Sequence, residues 1–191
     1  MFEQLIKSIQ DKVPATEGEL QLCKHYFTPK KIRKKQFLLQ EGDVCNKMAF
    51  VEKGSLYSYS TDVKGTQRVI QFAFEGWWIS DLYSFFTKEP SSLHIEALED
   101  SELLLLDHEQ HEYLLKNVPQ YETYTRMILQ NAYVALQRRI EGTIGLTAEE
   151  KYSRFLSQYP TCLNRVPQHL IASYLGITPE TLSRIRKQMA R

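Results

Sequence analysis

The chain has little cysteine, glycine or proline: three Cys, 8 Gly and 7 Pro in 191 residues. The cysteines, Cys23, Cys45 and Cys162, stand far apart and form no CxxC pair. That spacing excludes a zinc ribbon and a cysteine-ligated iron–sulfur cluster, so no metal is expected, and reduced thiols in a cytoplasm are the default. No apolar run approaches the roughly 20 residues of a membrane span, so no membrane partner is expected. The N-terminus, MFEQLIKSIQDKV, is amphipathic and contains acids, and no small-residue cleavage site follows an apolar run; it does not read as a secretion signal. Enzymatic signatures are also missing. There is no Ser/His/Asp order, P-loop or Rossmann glycine set, and the chain is not expected to be an enzyme. His108 and His111, spaced HEQH, have no third ligand near them in sequence and are expected to form a solvated first turn after a cap. His94 is the lone strand histidine, whereas a cupin-type metalloenzyme needs a clustered histidine–carboxylate set.

What is present begins with an uneven charge. The formal net charge is +1, but Thr161–Arg191 carries five Lys/Arg (Arg165, Arg184, Arg186, Lys187, Arg191) against Glu180 alone, a local +4 that leaves about −3 for the rest. A basic end on a near-neutral body is the footprint of a phosphate-binding module. The same end, Val166–Lys187, reads VPQHLIASYLGITPETLSRIRK. A helix over about 168–175 carries Leu170, Ile171, Ala172 and Leu175 on its apolar face. Gly176 supplies a left-handed turn, Thr178 an N-cap, and Pro179 the first position of a second helix, about 178–189. That helix points Leu182 and Ile185 inward and shows Glu180, Thr181, Ser183, Arg184, Arg186 and Lys187 to solvent, as a helix-turn-helix does.

Upstream, residues 1–27 read as helical, with Thr16 and Glu19 as a capping box. The basic run Lys30, Lys31, Arg33, Lys34, Lys35 fits a solvated, aggregation-blocking face better than a nucleic-acid contact. From Ile32 to Asp107 the pattern changes to period two. Short strands are expected at 37–39, 48–51, 56–60, 68–74, 77–79, 94–98 and 102–107, roughly eight in all, with a short helical turn in 81–90. Such spacing predicts a sandwich or jelly-roll barrel. Asp107 and Gln110 open a helix to about 117, and Pro119 opens a long one to about 140 or 141. Gly142 to Gly145 is read as a hinge, and Thr147 with Glu150 caps a further helix to about 158. The long helix has two apolar stripes: Tyr121, Tyr124, Ile128, Ala132, Ala135 and Leu129, Tyr133, Leu136, Ile140. One suits the barrel and the other a second copy of itself.

This order resembles the Crp/Fnr family of bacterial transcription regulators over the whole chain. IASYLGITPETLSRIRK at Ile171–Lys187 looks like the family's helix-turn-helix signature. EGD at Glu41–Asp43 and VEKGSL at Val51–Leu56 resemble turns of its cyclic-nucleotide-binding roll. The resemblance implies an α+β fold: an N-terminal jelly-roll domain (1–118), a long dimerisation helix and hinge (119–145), and a C-terminal helix-turn-helix domain (146–191). With the chain stopping at Arg191, little or no wing is expected. It implies double-stranded DNA and a second copy of the chain as partners, with RNA polymerase as a further candidate. Carried over by position, Pro179, Glu180 and Arg184 are the base-reading candidates, Pro179 departing from the hydrogen-bonding side chain usual there. Arg184 suits guanine O6/N7 and Glu180 cytosine N4; an i,i+4 ion pair between them is the alternative, compatible role. His169, Thr178, Thr181, Ser183, Arg186 and Lys187 are candidates for phosphate contact. The rival reading from another class is a ligand-binding or protein-interaction module with no specific DNA binding.

A cyclic nucleotide is not expected as cofactor. The family's ligand cassette has a glycine–acid pair and then an arginine that forks onto the cyclic phosphate. Here Asp81 can stand for the acid, but Ser91 stands where the arginine should be, and no Lys or Arg lies between Lys88 and Lys116. Trp77, Trp78, Asp81, Ser91, Ser92, Tyr121 and Tyr124 remain as a candidate pocket for some other effector; ordinary core filling is the favoured reading of its aromatic residues.

Overall fold

The computed structural model of the protein describes residues 1–160 and 162–189. They group into two compact units, Met1–Ser60 with Gln71–Gln130, and Thr61–Ile70 with Asn131–Arg191. In chain order the elements up to the long helix are α1 (Glu3–Gln10), α2 (Glu17–Tyr26), β1 (Thr28–Ile32), β2 (Phe37–Leu39), β3 (Lys47–Lys53), β4 (Leu56–Thr61), β5 (Gln67–Ala73), β6 (Trp78–Ile79), α3 (Leu82–Thr87), β7 (His94–Ala97), β8 (Ser101–Asp107), α4 (His108–Asn117) and α5 (Pro119–Gly145). The strands form two four-stranded sheets, ordered β1-β8-β3-β6 and β2-β7-β4-β5.

Seven strands fall where period-two alternation predicts them. The eighth, β1, is part of the basic run. It carries no alternation because Thr28 to Lys31 are all exposed and only Ile32 turns inward. It lies at a sheet edge and pairs antiparallel with β8, from Thr28 opposite Leu105 to Ile32 opposite Ser101. Lys31 meets Glu102 at 3.0 Å. Lysines on an edge strand discourage further strand addition, which is the expected role of this run.

Phe50, Leu56, Ile79, Ile95 and Leu103 fill the core of the first unit, joined by Leu5 and Ile9 from α1 and by Tyr121 and Tyr124 from α5. Polar groups inside it are placed. The buried Glu52 carboxylate of β3 accepts from the backbone N–H of Leu5 at 2.8 Å and of Gln4 at 3.2 Å. It thereby satisfies two orphan donors at the start of α1, where an anion also suits the helix dipole.

Two expectations are corrected. His111 is not on a solvated turn. It is 2% exposed, its Nδ1 lies 2.9 Å from the Tyr121 hydroxyl, and burial pushes its pKa down, favouring the neutral ring. A capping box does open α4, with Asp107 accepting from Gln110 N–H at 2.9 Å, but the helix's buried side includes the histidine one turn on. Second, Gly142 to Gly145 is no break: α5 runs unbroken to Gly145. Gly142 is there for close approach, since a Cβ on it would meet Arg154 Nη1 at 3.1 Å. That guanidinium crosses the glycine to donate to the Arg138 carbonyl at 3.1 Å.

Two turn glycines separate backbone strain from crowding. Gly42 (φ +92°) has open space around a notional Cβ, whereas at Gly54 (φ +93°) a Cβ would lie 2.8 Å from the Asp100 carbonyl and collide with Ser101. Gly42→Ala should cost about 1–2 kcal/mol for the left-handed backbone alone. Gly54→Ala should cost clearly more, as a lower denaturant midpoint at unchanged slope.

Candidate nucleic-acid interface

The second unit contains α6 (Ala148–Gln158), a 3-10 turn (Cys162–Asn164), α7 (Gln168–Leu175) and α8 (Pro179–Met189). Thr147 and Glu150 cap α6 as a full capping box. Tyr152, Phe155, Cys162, Leu170, Ile171, Ala172, Leu182 and Ile185 are buried together in this small core. The residues after Met189, on which the expected lack of a wing rests, lie outside those described.

The turn between α7 and α8 follows from its residues. Gly176 sits at φ +69°. Its N–H bonds the Ser173 carbonyl at 3.1 Å, and the Ile177 N–H folds back to the Ala172 carbonyl at 3.0 Å, a Schellman closure that needs a left-handed residue. Thr178 then caps α8, its hydroxyl accepting from Thr181 N–H at 3.2 Å. Pro179 takes the first helical position, where no N–H is required.

This start orients α8. Leu182 and Ile185 are wholly buried, and the outer side presents Pro179, Glu180, Ser183, Arg184, Lys187 and Gln188 along one shallow groove. The three base-reading candidates therefore share one face with two of the phosphate candidates, Ser183 and Lys187. Thr178 is exposed at the helix start and His169 in the first turn of α7. Thr181 is half-buried, with its hydroxyl 3.2 Å from that of Thr178. Arg186 does not line the groove: it is half-buried, and its charge acts on Tyr152 of α6. Gln188 was not among the candidates, although helical spacing from Arg184 would have found it.

The electrostatics suit recognition. Glu180's own backbone N–H and the Thr178 hydroxyl hold its carboxyl below the usual range, so it is an anion at the helix N-terminus. Among the described residues, no ion pair joins it to Arg184. Both side chains are available to other partners.

In the same unit, residues 61–70 bond to α5 and α7. The Ser173 hydroxyl donates to the Gln67 carbonyl at 2.7 Å and accepts from Val69 N–H at 3.0 Å. Arg139 donates to the Val69 carbonyl at 3.1 Å and to that of Ile70, with its guanidinium 4.3 Å from the centre of the Tyr174 ring.

The candidate effector residues divide into separate groups. In one, the buried Ser91 hydroxyl donates to the buried Asp81 carboxylate at 2.6 Å, while the other Asp81 oxygen caps α3 by accepting from Ser84 N–H at 3.3 Å. In another, Trp78 Nε1 donates to the Tyr124 hydroxyl at 3.1 Å, which lies 2.9 Å from that of Ser8. Tyr121 faces His111, Trp77 is half-buried against the core, and Ser92 is exposed. Buried tyrosines in such bonds are rigid core members, and burial pushes both phenols above their ordinary pKa. As to a cyclic nucleotide, the Asp81–Ser91 pair offers its phosphate a carboxylate and a hydroxyl already bonded to each other, with no cation; these residues do not fit that ligand.

Comparison with known proteins agrees with this arrangement. Residues 29–118 match the family model of the cyclic nucleotide-binding domain. The fumarate and nitrate reduction regulatory protein of Vibrio cholerae is 26% identical, over 88% of this chain and 72% of its own length. Among solved structures, FixK2 of Bradyrhizobium japonicum superposes with a TM-score of 0.74 at 20% identity, covering 86% of this chain and 84% of that one. The c-di-GMP-responsive global regulator CLP of Xanthomonas campestris gives 0.73 at 14% identity, with 92% of each chain covered. With that domain, a long helix and a helix-turn-helix following in order, and a curated regulatory protein aligned along most of its length, the chain is similar throughout to regulators of the Crp/Fnr kind.

Proposed function

We propose that the chain acts as a homodimer closed along α5 and reads an inverted-repeat DNA site, each α8 entering one major groove. The observation that carries this reading is the outer face of α8. Pro179 and five polar residues line it, Leu182 and Ile185 are buried behind it, and its acid and its arginine are not tied to each other. In such a groove Arg184 forks onto guanine O6 and N7, and Glu180 accepts from cytosine N4. Pro179 offers only apolar contact, so the base beside it is read by shape or by a thymine methyl. His169, Thr178, Thr181, Ser183 and Lys187 supply phosphate contacts that set register, with Arg186 held back toward α6. RNA polymerase is a further proposed partner, and the cytoplasm the proposed location.

The second stripe of α5 supports the dimer. Leu129, Tyr133, Leu136, Ile140 and Ile144 are all 40% or more exposed. They recur at spacings of three or four, the seam of a two-helix coil. Any effector of the roll is proposed to be something other than a cyclic nucleotide.

Selection of bound duplexes from a random pool should return an inverted repeat; recovery of no shared sequence would overturn the reading. Arg184→Ala should then lose about 1–3 kcal/mol and relax one base position in each half-site, whereas Lys187→Ala should weaken all duplexes alike and reduce the salt slope by about one. Ile140→Glu buries an unpaired charge in the seam, and should weaken the dimer at least about tenfold in sedimentation, roughly 1.4 kcal/mol or more. Cyclic AMP at saturating concentration should leave the melting temperature unchanged; a clear rise would contradict the reading of Asp81 and Ser91.

A further inference from the structure

A second cavity of the DNA-reading unit lies away from the α8 groove and shares no residue with it. Its volume is about 540 Å³, inside the range of roughly 300–1,000 Å³ typical of small-molecule sites. Arg138 and Arg139 of α5, Lys151 and Arg154 of α6, and Tyr174 of α7 are among its walls, and none of its lining residues is acidic. It is also off the proposed dimer seam. Arg138 and Gly142 each stand two residues on from a seam position, Leu136 and Ile140, which turns them about 200° around the helix.

Three of the four cations are anchored on carbonyls, and no acid lines the cavity with them. Lys151 Nζ donates to the Thr143 carbonyl at 3.2 Å, and Arg154 Nη1 to the Arg138 carbonyl at 3.1 Å. Arg139 is spent on the carbonyls of Val69 and Ile70 and on the Tyr174 ring. Carbonyl oxygens carry partial charge only, so these bonds fix the cations in place without neutralising them. Glu150, whose charge interacts with that of Arg154, is held by Thr147, at 2.8 Å from its backbone N–H. Four like charges around one partly enclosed space raise one another's energy, and a bound anion relieves this.

We propose that this cavity binds a small phosphate-bearing anion. Arginine forks match phosphate oxygens in pairs, and Lys151 adds a point charge. The room beyond one phosphate, flanked by Phe155 and Tyr174, admits an apolar or aromatic group on the same ligand. An anion seated there ties α5 to α6 and α7. It thus acts on the helices that carry α8, independently of the roll and of which bases α8 reads.

The test uses the full chain with inorganic pyrophosphate as probe, at constant ionic strength, by titration calorimetry. One saturable site per chain is expected. Arg138→Gln, whose guanidinium anchors no described residue, should weaken it at least about tenfold, as should Lys151→Gln. Arg184→Ala, on the other surface, should leave it unchanged. Circular dichroism and melting of each variant distinguish loss of site from loss of fold, and Arg138→Gln is the variant expected to keep the fold intact. Three results would overturn the proposal: no saturable binding; loss with Arg184→Ala but not Arg138→Gln; or complete displacement of pyrophosphate by non-specific duplex together with lost DNA affinity in Arg138→Gln, which would make the cavity a DNA-backbone contact.

Discussion

One helix sets the terms for the whole chain. Pro119–Gly145 has more apolar surface than its own chain covers. Its first turns bury Tyr121 and Tyr124, 2% and 1% exposed, in the core of the roll. Its later turns leave Tyr133 at 69%, Leu136 and Ile140 at 54% and Ile144 at 85%. Single exposed apolar residues are ordinary, but a continuous stripe on one helix asks for a partner. A second copy of the same helix is self-complementary, which is the usual geometry of a two-fold dimer. Two reading helices brought together by that axis would then meet a DNA site with the same symmetry.

The roll attached to this helix is tied internally by polar bonds. Asp81 caps α3 and holds Ser91; Trp78 holds Tyr124, which meets Ser8; His111 meets Tyr121. Among the described residues no buried side-chain nitrogen or oxygen lacks a partner. A network satisfied in this way rigidifies a core, and breaking it to admit a ligand leaves orphaned groups that cost about 1–3 kcal/mol each. A ligand of the roll must therefore offer replacement hydrogen bonds as well as apolar contact.

Much of this was legible in the sequence because the signals were local. Thr16, Asp107, Thr147 and Thr178 each announce a helix start by side-chain chemistry, and each caps the helix that follows. Gly176 announces the turn by its backbone freedom. The failures were long-range. Gly142 looked like a hinge because a glycine in a helical pattern commonly weakens it; only Arg154, from the next helix, explains it as a place of close approach. His111 looked solvated because nothing near it in sequence marks its contact with Tyr121, ten residues on across a helix boundary. β1 was hidden because its alternation is erased by exposure on an edge. The outer face of α8 was legible from period alone, except that Arg186 turns toward Tyr152, a neighbour that helical spacing does not reveal.

The two basic surfaces of the DNA-reading unit differ in a way that bears on specificity. Along α8 the cations are exposed and come with an acid, Glu180, fixed as an anion at the helix start. An anion facing DNA costs affinity everywhere except opposite a base-edge donor, so in the proposed base-reading role Glu180 would reject sites as much as select them. Pro179 has no side-chain hydrogen bond to add and in the same proposed role would leave discrimination to its neighbours. In the α5–α6–α7 cavity the cations line the walls without any acid, and Arg139, Lys151 and Arg154 are held by backbone carbonyls. That surface has nothing with which to reject one phosphate in favour of another except shape. The first arrangement suits a surface that must refuse most of the sequences it meets; the second suits a pocket that takes a charge and leaves selectivity to the room around it.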